Sequence, residues 1–237
     1  MKKELLEYSF KHGLSHIPSA MSMIDYLDVL FTNKIVTTDD HILLGKPFGA
    51  QAYYLVWRKL GYLNEIEHLG AGVKHDEISF VDYSEETMGN ALGVAIGIAM
   101  ASDKRVWVNL SDATLQMGNA LEAIQFIGHR NLKNVFVTVD YNNAQVTGEV
   151  NDILTVNPVI QFFKEYNWSV QEVDGHDYTA LASSFSNLDN NLPNVVICHT
   201  RKGHGIAEIE KDIKKWHYKK IETSTELQSL VAALRAT

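Results

Sequence analysis

The stretch Leu110 to Gly148 reads LSDATLQMGNALEAIQFIGHRNLKNVFVTVDYNNAQVTG, and its pattern decides the fold class. Arg105–Leu110 (RVWVNL), which runs into it, is a short run suited to a buried strand. Met117, Leu121, Ile124 and Ile127 then recur at helical spacing, which predicts a helix over 117–129. Asn134–Asp140 (NVFVTVD) is a second β-branched run. Strand, helix, strand over this length makes a parallel crossover unit. Polar residues stand where both strands stop: Ser111-Asp112 after the first, Tyr141-Asn142-Asn143 after the second. Open parallel sheets bind ligands in such loops. One carboxylate, one side-chain amide and nearby carbonyls form an oxygen set that suits magnesium, an ion that completes its octahedron with water and phosphate. Unaided, the stretch points to a magnesium–phosphate site, with Asp112 and Asn142 expected in a solvent-accessible cleft.

Outward from this unit the chain reads as α/β, with a parallel sheet flanked by helices on both faces. Trp168–Val173 and Val195–His199 supply further strands. Helices are expected over Lys2–Lys11, from a cap at Ser19 or Ser22 to about Phe31, over Tyr53–Leu63, around Ala180 and over Glu226–Arg235. A long buried helix is expected after Thr87–Gly93, and Gly203–Lys220 reads as a long loop or irregular helix. Residues 1–237 are expected to form one domain, long enough for a sizeable core. The net charge of −8, with no basic run, argues against a nucleic-acid or anionic-membrane surface. The longest apolar run, Ala91–Ala101, is too short to span a bilayer. The amino terminus MKKELLEYSFKHG lacks the apolar core of a signal peptide, and Cys198 is the only cysteine. A cytoplasmic location is the expectation.

The same stretch resembles the thiamine diphosphate enzymes, in which Gly-Asp-Gly is followed, some 25 to 30 residues later, by Asn-Asn. Here Ser111-Asp112-Ala113 stands at Gly-Asp-Gly, and 28 residues separate it from Asn142-Asn143. Within that class the chain is most similar to the amino-terminal half of transketolase. Gly128–Asn134 keeps the GH-x-x-L-x-N pattern, and Asp174–Asp177 matches DGHD. His199–Gly205 resembles T-x-KG-x-G, and Trp216-His217 resembles the WHG that follows it. Gly13–Ser22 resembles the G-S-GHPG-x-x-L-S loop, and His41–Tyr53 the segment F-V-L-S-KGHG-x-x-x-x-Y.

The resemblance implies a thiamin diphosphate-binding fold holding thiamine diphosphate through Mg2+. It places the metal on Asp112, Asn142 and the carbonyl of Ala144, and the cofactor on Ser111, Asp112, Ala113, Met88, Asn142 and Val146. It gives His16, His75 and His217 roles in sugar handling, and puts Glu122 in a carboxylate network between protomers. Four departures stand out. Serine and alanine replace the two glycines beside Asp112, Pro47 replaces a histidine, Met117 replaces a glutamate, and Lys46 stands at a glycine. The pyrimidine-binding domain is expected on another chain. The resemblance thus implies the amino-terminal subunit of a two-chain transketolase, working in a heterotetramer with a carboxyl-terminal-type subunit. That enzyme would transfer a two-carbon ketol unit between sugars or sugar phosphates in carbohydrate metabolism. Two readings remain beside it: the alpha subunit of a thiamine diphosphate-dependent 2-oxo acid decarboxylase or dehydrogenase, and a catalytically degenerate regulatory subunit.

Overall fold

A computed structural model describes residues 1–64, 70–74 and 76–234. Six strands form one parallel sheet: β1 His41–Leu44, β2 Tyr83–Ser84, β3 Val106–Ser111, β4 Val135–Tyr141, β5 Ser169–Asp174 and β6 Asn194–His199. Their order across the sheet is β2-β1-β3-β4-β6-β5. The eleven α-helices of the described residues are α1 Lys2–Lys11, α2 Ile17–Thr32, α3 Ala50–Lys59, α4 Ala91–Ala101, α5 Gly118–His129, α6 Val150–Ile153, α7 Asn157–Glu165, α8 Tyr178–Ser186, α9 Ala207–Lys211, α10 Ile213–Trp216 and α11 Ser224–Ala233, and a short 3-10 helix spans Asp112–Gln116.

Alternate residues along each strand serve opposite faces, as the two-residue period of a strand requires. Leu43, Val106, Val108, Leu110, Val135, Val137 and Val139 pack with α4, α5 and α7. Ile42, Leu44, Trp107 and Phe136 pack with α1, α2, α3 and α8. Helix α2 is buried from Ile17 through Phe31, which accounts for its apolar residues on every side. Its amino-terminal cap is His16, in the left-handed conformation at φ 60, while Ser19 and Ser22 lie inside the helix rather than capping it. Pro18 in the first turn sets the start further upstream than the serines suggest.

Helix α4 is buried on one face only. Ala91, Leu92, Ala95 and Ala99 meet the sheet, whereas Met100 is 56% exposed and a side chain at Gly93 or Gly97 would meet open space. The helix that reads as buried is thus covered on one side only. The third helix lies upstream of the expected Tyr53–Leu63, at Ala50–Lys59, and the 203–220 stretch holds the short helices α9 and α10.

The strand order turns outward to β2 and returns to β3 on the other side of β1. Such reversals open a crevice at the carboxyl ends of the strands. There β1, β3, β4 and β6 deliver the loops beginning at Gly45, Asp112, Asn142 and Thr200.

Candidate functional site

Those loops enclose a cavity of about 490 Å³. Of the residues singled out from the sequence, His16, Met88, Ser111, Ala113, Asn142, Ala144, Val146 and His217 line it. So do Gly45, Lys46, Pro47, Phe48, Glu86, Gln145, Lys202 and Tyr218, to which the sequence alone gives no site role. Lys202 is the lysine of the KG pair in the T-x-KG-x-G segment, so its signal is present in the motif. His75 lies outside the described residues. Glu122 sits on the exposed side of α5 and does not line the cavity.

Asp112 corrects one expectation. It is fully buried beneath the cavity rather than facing a solvent-accessible cleft. Its Oδ2 accepts the Asn143 backbone N–H at 2.5 Å, and its Oδ1 accepts that of Ala113 at 2.8 Å. The carboxylate therefore fastens the loop after β4 to the end of β3. Burial raises its pKa, while Lys46, the two N–H groups and the Ser111 hydroxyl oppose the rise.

A second buried carboxylate, Asp140, is the hub of the floor. It accepts from Ser22 Oγ at 2.7 Å, Asn142 Nδ2 at 2.8 Å, Thr200 Oγ1 and the Lys46 ammonium. By holding Nδ2, Asp140 fixes which way the Asn142 amide points. Asn142 Oδ1 accepts from Ala144 N at 3.0 Å. Lys202 Nζ donates to the Ala144 carbonyl at 3.0 Å and to His217 Nδ1 at 3.2 Å. Burial, then repulsion from Lys202, lowers the Lys46 pKa, and Asp112 opposes this. Burial pushes Lys202 down to about 8, with Asp112 again opposing.

The loop carrying Lys46 is held from the core. Lys46 O accepts from the Tyr53 hydroxyl at 2.8 Å, and that hydroxyl accepts from Asn109 Nδ2 at 2.5 Å. Asn109 Oδ1 accepts from Tyr26 at 3.0 Å and from Thr138 at 2.8 Å. These buried polar groups on β3 and β4 thus have partners, and the chain of bonds ends at the cavity floor.

Above the floor, His16 N donates to His217 O at 3.2 Å, which joins the start of α2 to the end of α10. A non-glycine residue in the left-handed region is uncommon and marks a position that its surroundings hold. Burial, then the positive charge of Lys202, lowers both His16 and His217 to about 4, so both rings are neutral at pH 7.

A third buried cluster lies outside the cavity lining. Asp25, His176 and His204 bring ligand-type atoms within 4.8 Å of one another. Lys2 Nζ already fills this cluster, donating to Asp25 Oδ2 at 2.7 Å and to His204 Nδ1 at 2.8 Å. His176 accepts the Arg201 N–H on Nε2 and so carries its proton on Nδ1, toward Asp25. Asp25 is held well below the usual carboxylate range: burial would raise it, but His176, His204 and Lys2 outweigh burial. Gly203, at φ +83, turns the chain between Lys202 on the floor and His204 in this cluster. A Cβ there would stand 2.5 Å from Ile209 Cγ2.

The donors gathered here are hard oxygens from Asn142 and Ala144 on the floor and from Asp112 beneath it, with two ammonium groups beside them. The set has the chemistry to take a small divalent cation and an anionic phosphate ester. Lys202 already places positive charge on the Ala144 carbonyl.

The chain has known relatives in sequence and in fold. The family described as "Transketolase, thiamine diphosphate binding domain" matches residues 89–228. One subunit of the apulose-4-phosphate transketolase of Phocaeicola vulgatus is 24% identical over 240 residues, which cover 92% of this chain and 85% of that protein. The subunit of the same name from Actinobacillus succinogenes is 30% identical over 196 residues, 76% of this chain and 70% of that one. Among solved structures, the transketolase of Leishmania mexicana superposes with a TM-score of 0.75 at 17% identity. That superposition takes in 98% of this chain but 42% of the Leishmania protein, so the chain spans less than half of that relative.

Proposed function

The chain belongs to the transketolase family, in its thiamine diphosphate-binding domain, and on that footing we propose that it is the diphosphate-anchoring subunit of a two-chain transketolase. The carrying observation is the convergence of Asn142, Ala144, Lys46 and Lys202 on the cavity, with Asp112 buried beneath it and bonded to the Asn143 backbone, at the carboxyl end of β1, β3, β4 and β6. When bound, thiamine diphosphate would supply the carbanion chemistry by which a two-carbon ketol unit passes from a ketose to an aldose. The residues of this chain bind and orient. Asp112, Asn142 and the Ala144 carbonyl offer oxygens to Mg2+, and the two lysines offset diphosphate charge. Ser111, Ala113, Met88 and Val146 form the walls against which the cofactor rests. His16 and His217, neutral at pH 7, are set to orient and exchange protons with sugar hydroxyls.

The Phocaeicola and Actinobacillus relatives are each named as one subunit of their enzyme, which supports a partner chain that carries the pyrimidine-binding domain. We place residues 1–237 in one domain and the assembly as a heterotetramer. The open face of α4 and the exposed Glu122 fit a contact with other protomers. Pro47, where the family pattern has histidine, favours a second reading, that of a catalytically degenerate regulatory subunit. One experiment separates the two. The chain is combined with its carboxyl-terminal-type partner, thiamine diphosphate and Mg2+, and ketol transfer from ketoses is measured. Transfer supports the catalytic reading. Cofactor binding without transfer from any ketose supports the regulatory one, and turnover of 2-oxo acids alone indicates a decarboxylase.

A further inference from the structure

The cavity changes character from floor to mouth. On the floor both ammonium groups are committed, Lys46 to Asp140 and Lys202 to the Ala144 carbonyl and His217. The His16 ring lies one step further out, with its centroid 5.0 Å from that of His217. Two aromatic rings then bracket His16. Phe48 stacks on it at 5.1 Å and 22°, and Tyr218 meets it edge-on at 5.2 Å and 89°. Phe48 is 37% exposed and Tyr218 62% exposed, although both line the cavity. Besides the two lysines, Glu86, a carboxylate, is the charged side chain among the described lining residues. Among the described residues that line the cavity, the two lysines stand on the floor, and this wall offers aromatic rings and polar ring edges.

We propose that Phe48 and Tyr218 are the specificity-determining residues of this chain, forming an apolar clamp around His16 that takes the C–H face of a donor sugar beyond its reacting carbons. This rests on the transketolase reading above. An extended sugar shows C–H bonds on its faces and hydroxyls at its edges. Aromatic faces take the former, while the His16 ring and the Tyr218 hydroxyl are placed to meet the latter.

The test uses the two-chain enzyme loaded with thiamine diphosphate and Mg2+. Steady-state kinetics are compared for five- to seven-carbon ketoses and for hydroxypyruvate, a donor that ends at the reacting carbons. In Phe48→Ala and Tyr218→Ala the ratio of kcat/KM for ketose to that for hydroxypyruvate falls about tenfold, mostly through KM, the size expected for one lost ring contact. An unchanged ratio in both variants, whether activity is kept or lost equally on both donors, overturns the clamp and leaves the transketolase reading standing. Absence of transfer from either donor by the wild-type pair overturns that reading and the clamp with it.

Discussion

Removing one hydroxyl tests whether the core holds the cavity floor in place. Tyr53 is fully buried, so Tyr53→Phe deletes an oxygen without opening a large cavity. Two groups lose this partner: the Lys46 carbonyl, which accepted at 2.8 Å, and Asn109 Nδ2, which donated at 2.5 Å. Each buried group left unsatisfied costs about 1–3 kcal/mol, so the variant is expected to lose about 2–6 kcal/mol. Tyr26→Phe is the matched control. Its hydroxyl is also buried, but Asn109 Oδ1 keeps the Thr138 hydroxyl as donor, so the loss is about 1 kcal/mol. Urea unfolding followed by tryptophan fluorescence measures both, read as the change in midpoint at constant slope. Equal losses, or a larger loss for Tyr26→Phe, would refute the view that the bonds through Tyr53 support the Lys46 loop.

Three further outcomes follow from the site. Asp140→Asn removes the counter-charge of buried Lys46 and should destabilise the fold by about 3–5 kcal/mol, with Lys46→Met in the same chain recovering more than half of that loss; failure of the double variant to recover stability in urea unfolding would show that the pair does not act as a unit. Lys202→Met should weaken thiamine diphosphate binding by about tenfold or more in calorimetry, through loss of one charge-assisted contact; unchanged affinity excludes Lys202 from the diphosphate site. The folded-state pKa values of His16, His176 and His217 are all depressed, chiefly by burial, so the unfolded chain takes up protons first as pH drops below about 6.5. Their contribution to stability is full above that pH and is lost toward pH 4; thermal midpoints should fall over this window, and a flat profile from pH 7 to 4.5 contradicts the assignment.

The crossover unit is legible in the sequence because its signals are local. The runs Val106–Val108 and Val135–Val139 are β-branched almost throughout, and Ile124 and Ile127 mark the buried side of α5. β1 is harder: its four residues, HILL, carry no alternation and read only as the lead-in to a motif. Helix α7 is hard to see because it is only nine residues long, although Val159, Ile160, Phe162 and Phe163 gather its apolar side chains against the core. In the site, residue spacing places Asp112 and Asn142 at adjacent strand ends, but not how deep each lies. Depth comes from long-range bonds, with Asp112 gripping the Asn143 backbone 31 residues on. Lys46 reads as a departure from a glycine, yet it meets Asp140, 94 residues away. Phe48 and Tyr218 meet His16 only once the loop after β1 and the end of α10 come together around it.

The central claim is that the floor of this cavity holds a diphosphate through a divalent cation. It is tested most directly by calorimetric titration of thiamine diphosphate into the chain and its partner, with Mg2+ and with excess chelator, for the wild type and Asn142→Ala. Saturable binding that requires Mg2+ and is lost in Asn142→Ala is the predicted result. Binding of equal strength in chelator, or binding undiminished by the substitution, would contradict the account.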